Sequence, residues 1–134
     1  MNTPVYDFLI QYAERDPVRL HMPGHKGRFG APALQRATAL DLTEITGADS
    51  LFEAEGILAE SERNAASLYG TAYTFYSCGG STLCIQTMLL LMKQQGRAVL
   101  AARNVHRAFL NTCVLLDLPV QWIYPRESDG ILSC

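Results

Sequence analysis

Segments of strand length alternate with helical segments through the second half of the chain. The predicted strands are Thr71–Phe75, Ala98–Ala101 and Val120–Tyr124, and the predicted helices between them are Ser81–Gln94 and His106–Leu116. Short connections and apolar strands in this order are typical of a parallel sheet with right-handed crossovers and helices packed on it. The sequence therefore predicts an α/β fold. Ligands of such sheets bind at the carboxyl ends of the strands.

A glycine-rich turn opens the first of these helices. Gly79 and Gly80 are followed by Ser81, Thr82 and an almost continuous apolar run, Leu83–Met92. The unpaired N–H groups at a helix start attract an anion, because they add to the favourable end of the helix dipole. Glycine lets the backbone approach an oxyanion closely, and hydroxyl groups add donors. The turn predicts a phosphate site; the alternative is an ordinary connection with Ser81 as N-cap.

Two further polar clusters lie in predicted loops. Arg103–Arg107 follows the strand Ala98–Ala101, where the ring of His106 could stack on a planar ligand, move a proton, or simply satisfy a helix start. The loop His21–Gly27 carries two imidazoles and one ammonium group within six residues. Pro23 breaks any helix there, which argues against a helical pair of metal ligands. A surface turn with scattered basic residues is the alternative for this loop.

The first half of the chain is predicted to contain helices joined by irregular segments. The expected elements are a helix from Pro4 to near Asp16, a glycine-rich segment Arg19–Pro32, a short helix Ala33–Ala39, an acidic loop Asp41–Gly56 and a helix Ile57–Tyr69 that ends at Gly70. We divide the chain on this basis into an N-terminal segment, residues 1–56, and the start of an α/β domain, residues 57–134.

Composition and charge narrow the classes of partner. The net charge of -2 gives no basic field for a nucleic acid. We find neither a secretory signal nor an apolar run long enough to span a bilayer, so we expect a cytoplasmic protein without membrane contact. The four cysteines lack metal-ligand spacing and are expected to be reduced thiols, so no metal site is predicted.

Five segments in this order resemble the start of the ornithine/lysine/arginine decarboxylase family. The motif H-M-P-G-H-K-G at residues 21–27 is the most specific, and the resemblance runs from about Tyr6 to the end of the chain. Members of this family use pyridoxal phosphate on the aspartate-aminotransferase fold. The matching segments are His21–Gly27, Asp41–Glu44, Gly56–Glu62, Gly80–Thr82 and Arg103–Arg107.

The resemblance implies roles for individual residues. Gly80, Ser81 and Thr82 match the turn that holds the cofactor phosphate, and His106 matches the catalytic histidine whose ring stacks on the cofactor. His25 and Lys26 match an active-site loop.

The chain departs from the family pattern at four positions. The family commonly has asparagine, lysine and serine where Gly79, Arg107 and Ala108 stand, and often histidine at Phe52. Positions 52 and 108 therefore carry apolar side chains in this chain.

The resemblance also implies that essential groups lie outside this chain. Its two lysines, Lys26 and Lys93, do not match the family's Schiff-base lysine, and the carboxylate that binds the pyridinium nitrogen is also expected downstream. We therefore expect the chain to be a truncated portion of the major domain of a decarboxylase. The complete enzyme would act on lysine, ornithine or arginine and produce polyamine-type amines. The parent protein is expected to be a homodimer or higher homo-oligomer, and this chain alone to be inactive.

Two other interpretations stay open. The chain could be a non-catalytic partner that modulates a full-length decarboxylase, or a small phosphate-binding α/β domain. The helix Leu83–Met92 is apolar nearly all round and needs cover on all sides, so the isolated chain is expected to associate.

Overall fold

The computed structural model describes residues 2–128 and 131–133 of the chain. The chain divides into two compact units, Met1–Tyr76 and Ser77–Cys134. Nothing in this division tests the boundary that the sequence suggested between residues 56 and 57, which stays a prediction.

The first unit contains three helices. They are α1 (Pro4–Glu14), α2 (Pro32–Leu40) and α3 (Ile57–Tyr69). Proline begins α1 and α2, where its missing N–H costs nothing because the first N–H groups of a helix have no partner within the helix. At the end of α3, Gly70 has a φ of 65° and its N–H donates to Ser67 O at 3.4 Å, while Thr71 N–H donates to Ala66 O at 3.0 Å. The three predicted helices and the terminating glycine are confirmed.

Asp49 fastens the acidic loop to the start of α3. Its carboxylate accepts hydrogen bonds from the backbone N–H groups of Ser50, Glu55, Gly56 and Leu58, at 2.9–3.2 Å. Desolvation acts to raise the pKa of Asp49, but these four bonds outweigh it and hold the pKa below its usual range. The carboxylate also lies at the favourable end of the α3 dipole. Asp49 therefore ties the end of the loop to the start of α3.

The predicted strand Thr71–Phe75 is wrong. These residues form no ladder with any strand of the described chain. The Thr71 hydroxyl donates to Tyr73 O at 3.1 Å. The N–H of Tyr76 donates to the Glu62 carboxylate at 2.8 Å. Strand propensity alone does not make a strand, since a strand exists only with a hydrogen-bonded neighbour.

The second unit has the predicted alternation. Its elements are α4 (Gly80–Gln94), β1 (Val99–Ala102), α5 (Arg107–Leu115) and β2 (Val120–Ile123). Strands β1 and β2 are parallel, with Val99 opposite Val120 and Ala102 opposite Ile123. The α/β class and the parallel pairing are thus confirmed.

A short antiparallel pair, β3 (Arg126–Ser128) and β4 (Ile131–Ser133), follows β2 and was not predicted. The dipeptide Asp129-Gly130 is a common hairpin signal in sequences. Those two residues lie outside the described part of the chain.

The core of the second unit places both helices on one face of the sheet. Leu89 of α4, Cys113 of α5 and Leu118 are buried together, with Val99 and Val120 packed against them. Leu100 points to the other face and is 64% exposed. On α4 the exposed apolar side chains are Leu83, Met88, Leu90 and Leu91. The expected association of the chain stays a prediction, although this exposed apolar surface favours it.

We expect Asp49→Asn to lower the urea midpoint of the first unit at neutral pH, because an amide accepts fewer backbone hydrogen bonds than a carboxylate. The pKa of Asp49 is depressed in the folded state, so its stabilisation is complete above the unfolded value of about 3.9 and is lost as pH falls through the folded pKa. Urea titrations across pH 2–7 should therefore show the two proteins converging in acid.

Glu53→Gln is the matched control, since Glu53 is an exposed acid of the same loop. It should track the unsubstituted chain at every pH. A constant difference between Asp49→Asn and the unsubstituted chain down to pH 2 would contradict the assignment.

Candidate functional site

The first turn of α4 is open. Its N-cap is Gly79, and no side chain of the described residues caps it. Gly80 has a φ of 64°, which glycine adopts without strain, and a Cβ placed there would meet no atom within 4 Å. At Gly79 a Cβ would lie 2.7 Å from the Leu83 Cβ, so a larger residue here would require Leu83 to shift. The turn therefore presents backbone N–H groups and the exposed Ser81 and Thr82 to open space.

His106 is fixed at the start of α5. Its ring Nδ1 accepts a hydrogen bond from the N–H of Ala108 at 3.1 Å. In the neutral ring this bond puts the proton on Nε2. The alternative role of His106, satisfying a helix start, is observed. It does not conflict with stacking, because the bond lies in the ring plane and uses neither face. Ala108, where the family commonly has serine, is buried and contributes its N–H to this cap.

Both helix starts lie at the same edge of the sheet. The chain reverses between α4 and β1, and α5 begins five residues after β1 ends. Since α4 and α5 pack on one sheet face, the first turn of α4 and His106 both lie toward the carboxyl end of β1. The structure thus brings Gly80–Thr82 and His106 to one edge; their binding of one ligand stays a prediction.

In the first unit, the predicted loop is held by its own polar groups. His21 Nδ1 donates to Met22 O at 2.5 Å, and the Tyr12 hydroxyl donates to His21 Nε2 at 2.8 Å. The Lys26 ammonium donates to His21 O at 2.5 Å. The loop is therefore a defined structure, not a solvated turn.

His25 is paired with an acid that the sequence did not single out. The N–H of Gly27 donates to His25 Nδ1 at 3.0 Å, and His25 Nε2 donates to the Asp41 carboxylate at 3.1 Å. Both ring nitrogens are thus used, so in this arrangement His25 orients the loop. The segment Asp41–Glu44 among the family-like segments was the one signal that could have pointed to Asp41.

Arg19 is a buried residue just before this loop, and the sequence analysis did not identify it. Only 8% exposed, it donates to Ala39 O at 2.6 Å and, more weakly, to Thr38 O and Asp41 O at the end of α2. Its Cζ lies 5.1 Å from the centre of the Tyr12 ring. A Cβ on Gly27 would come within 2.5 Å of that Cζ, so glycine lets the loop close on the guanidinium. A positive charge at the carbonyl end of a helix is favourable.

The two lysines are both bonded to backbone carbonyls. Lys93 donates to Leu116 O, at the end of α5 opposite His106, while Lys26 donates within its own loop. Phe52 is 90% exposed and offers no polar group.

The described residues were compared with the requirements of a metal site and of a membrane span. No cluster of three His, Cys, Asp or Glu residues that could hold a metal ion occurs within residues 2–128 and 131–133. No helix in the described ranges is long and apolar enough to cross a membrane.

Arg19→Leu should lower the free energy of unfolding of the first unit by about 2–3 kcal/mol, because it removes charge-assisted hydrogen bonds from buried carbonyl groups. Urea denaturation measures the change. Arg28→Leu is the matched control: Arg28 pairs with Asp16 at 3.1 Å, and both side chains are over 70% exposed. That pair should contribute less than about 1 kcal/mol. Equal effects of the two substitutions would refute the special role of Arg19.

Comparison with known proteins identifies the family of the chain. The sequence model of the family described as Orn/Lys/Arg decarboxylase, major domain, matches residues 3–132. An arginine decarboxylase of Halalkalibacterium halodurans is 32% identical over 137 residues, covering 98% of this chain and 28% of the relative. An arginine decarboxylase of Bacillus subtilis has the same identity and coverage. Lysine decarboxylase LdcA of Pseudomonas aeruginosa is 23% identical, with 97% of this chain and 19% of the relative covered.

The chain spans 28% of the length of the arginine decarboxylases compared above. The family match nevertheless extends over almost every residue of the chain, including the first turn of α4, His106 and the loop around Arg19. The chain belongs to the Orn/Lys/Arg decarboxylase family, in its major domain.

Proposed function

We propose that this chain is the N-terminal part of a pyridoxal-phosphate-dependent decarboxylase of basic amino acids, built on the aspartate-aminotransferase fold, and that it holds the phosphate and ring of the cofactor. Family membership and the names of the relatives support the reaction class. The observation that carries the proposal is the uncapped first turn of α4 at the same sheet edge as His106.

The first turn of α4 fits a phosphate group. Gly80 keeps the approach to the backbone free of a Cβ, and the N–H groups of the turn lie at the positive end of the helix dipole. Ser81 and Thr82 would add two hydroxyl donors. Such charge-assisted hydrogen bonds are the strong ones in proteins. In this assignment Gly80, Ser81 and Thr82 anchor the cofactor.

His106 fits a planar aromatic partner. Its capping bond to Ala108 N–H holds the ring in one orientation, so one face can lie against the cofactor ring without an entropic cost for ordering the imidazole. When bound, the cofactor supplies an electron-withdrawing ring that takes up the electron pair left as the carboxyl group departs as carbon dioxide. His106 would keep that ring in position.

Other parts of the chemistry would come from beyond these residues. Lys26 and Lys93 are each bonded to a carbonyl oxygen, and neither lies at the match to the family's Schiff-base lysine. We propose that this lysine and the carboxylate for the pyridinium nitrogen belong to the remainder of a longer protein, a cytoplasmic homodimer. His25 and Lys26 would serve there as an active-site loop, kept in shape by Arg19 and Asp41.

The double substitution Ser81→Ala, Thr82→Ala should weaken binding of pyridoxine 5′-phosphate by about 10- to 100-fold per lost hydroxyl bond. Pyridoxine phosphate is the chosen probe because it has no aldehyde and cannot react with Lys26 or Lys93. Equilibrium dialysis against the folded chain measures the dissociation constant.

Thr87→Ala is the matched control, because the Thr87 hydroxyl lies on the same helix but donates to Leu83 O at 2.9 Å. Its affinity should equal that of the unsubstituted chain, and pyridoxine without phosphate should bind far more weakly. Unchanged affinity in the double variant would refute the phosphate assignment.

A further inference from the structure

Arg103 is held at the carboxyl edge of the sheet by two aromatic rings. Its backbone N–H donates to Ile123 O at 3.2 Å, which continues the β1–β2 ladder by one residue. Its Cζ lies 5.7 Å from the centre of the Trp122 ring and 5.6 Å from that of Tyr124. The guanidinium group is therefore positioned from both its backbone and its side chain, three residues before His106.

The guanidinium group of Arg103 makes no hydrogen bond to any residue in the described ranges. Attraction to the two rings uses the positive charge of the group but consumes none of its five N–H donors. In the described part of the chain the Arg103 side chain makes neither an ion pair nor a hydrogen bond. By contrast, Arg19 donates to carbonyl groups and Arg28 pairs with Asp16. Arg103 is thus a positioned cation whose N–H donors have no partner among the residues that the structure describes.

The first turn of α4 has no positive side chain of its own. The first turn of α4 offers N–H and hydroxyl donors, and the basic residue of that helix, Lys93, is in its last turn. A phosphate or carboxylate group gains most from a guanidinium, whose planar fork matches two oxygens at once. Two arginines, Arg103 and Arg107, lie at this sheet edge, and in the described part of the chain Arg103 is the one whose guanidinium is held against aromatic rings.

We propose that Arg103 is an oxyanion-binding residue of this site, an inference that rests on the proposed function. The oxyanion is the phosphate of the cofactor or the carboxylate of the amino-acid substrate. Both present paired oxygens to one guanidinium, and binding would draw Arg103 toward the ligand and change its contact with the indole of Trp122.

Trp122 provides the reporter for the test, because it is the one tryptophan of the chain. We would titrate its fluorescence with inorganic phosphate, pyridoxine 5′-phosphate, pyridoxine, lysine and 1,5-diaminopentane, which is lysine without its carboxyl group. The proteins are the unsubstituted chain, Arg103→Gln, Arg103→Lys and Arg97→Gln. Arg97 is an exposed arginine just before the other end of β1 and serves as the matched control. Circular dichroism verifies that each variant is folded.

We expect a saturable fluorescence change of the unsubstituted chain with at least one class of oxyanion. The affinity derived from it should be the same in Arg97→Gln, at least tenfold weaker in Arg103→Gln, and intermediate in Arg103→Lys. A loss confined to the phosphate compounds identifies the phosphate as the partner. A loss confined to lysine, with 1,5-diaminopentane silent throughout, identifies the carboxylate.

Two outcomes would overturn the proposal: no saturable change with any oxyanion, or equal affinities in Arg103→Gln and the unsubstituted chain. Failure of the proposed function has a different signature. In that case the binding of inorganic phosphate or of lysine still depends on Arg103, while dialysis detects no binding of pyridoxine phosphate. If instead pyridoxine phosphate binds all four proteins equally and lysine binding is also independent of Arg103, the role of Arg103 fails and the proposed function stands.

Discussion

The packing of α4 and α5 against one face of the β1–β2 pair is the constraint on which the candidate site depends. Leu89, Cys113 and Leu118 bury that contact, and with the order α4, β1, α5 both helices start toward the carboxyl end of β1. The first turn of α4 and His106 are distant in sequence and share no side-chain bond among the described residues. They meet at one edge because apolar residues elsewhere hold the helices in place.

The first unit is stabilised in a different way. There the loop that carries His25 and Lys26 is shaped by polar groups: Arg19 donates to the carbonyl end of α2, and Asp41 receives the His25 ring. Buried arginine satisfied by carbonyl groups is costly to disturb, because removing it leaves several acceptors without a donor. Residues of the same family pattern are thus positioned by hydrogen bonds in the first unit and by apolar packing in the second.

The sequence predicted the elements that depend on local periodicity. Its predictions failed for features that depend on contacts between distant residues. The alternation of α4, β1, α5 and β2 is readable because apolar spacing sets each element. The segment Thr71–Phe75 has strand composition but no neighbour to pair with among the described residues, so its prediction failed. Within the candidate sites, Gly80–Thr82 and His106 were visible as motifs. The contacts of Arg19 and Asp41 join residues 16 to 22 positions apart, which no local pattern encodes.

The most direct test of the account is to map the amide groups that a cofactor analogue perturbs, by ¹⁵N–¹H NMR of the chain titrated with pyridoxine 5′-phosphate. The account predicts that the amide signals of Gly80, Ser81 and Thr82 and of the His106 cap move together, with one dissociation constant. Shifts at the α4 turn alone, at His106 alone, or with two different constants would show that the two helix starts do not form one cofactor site.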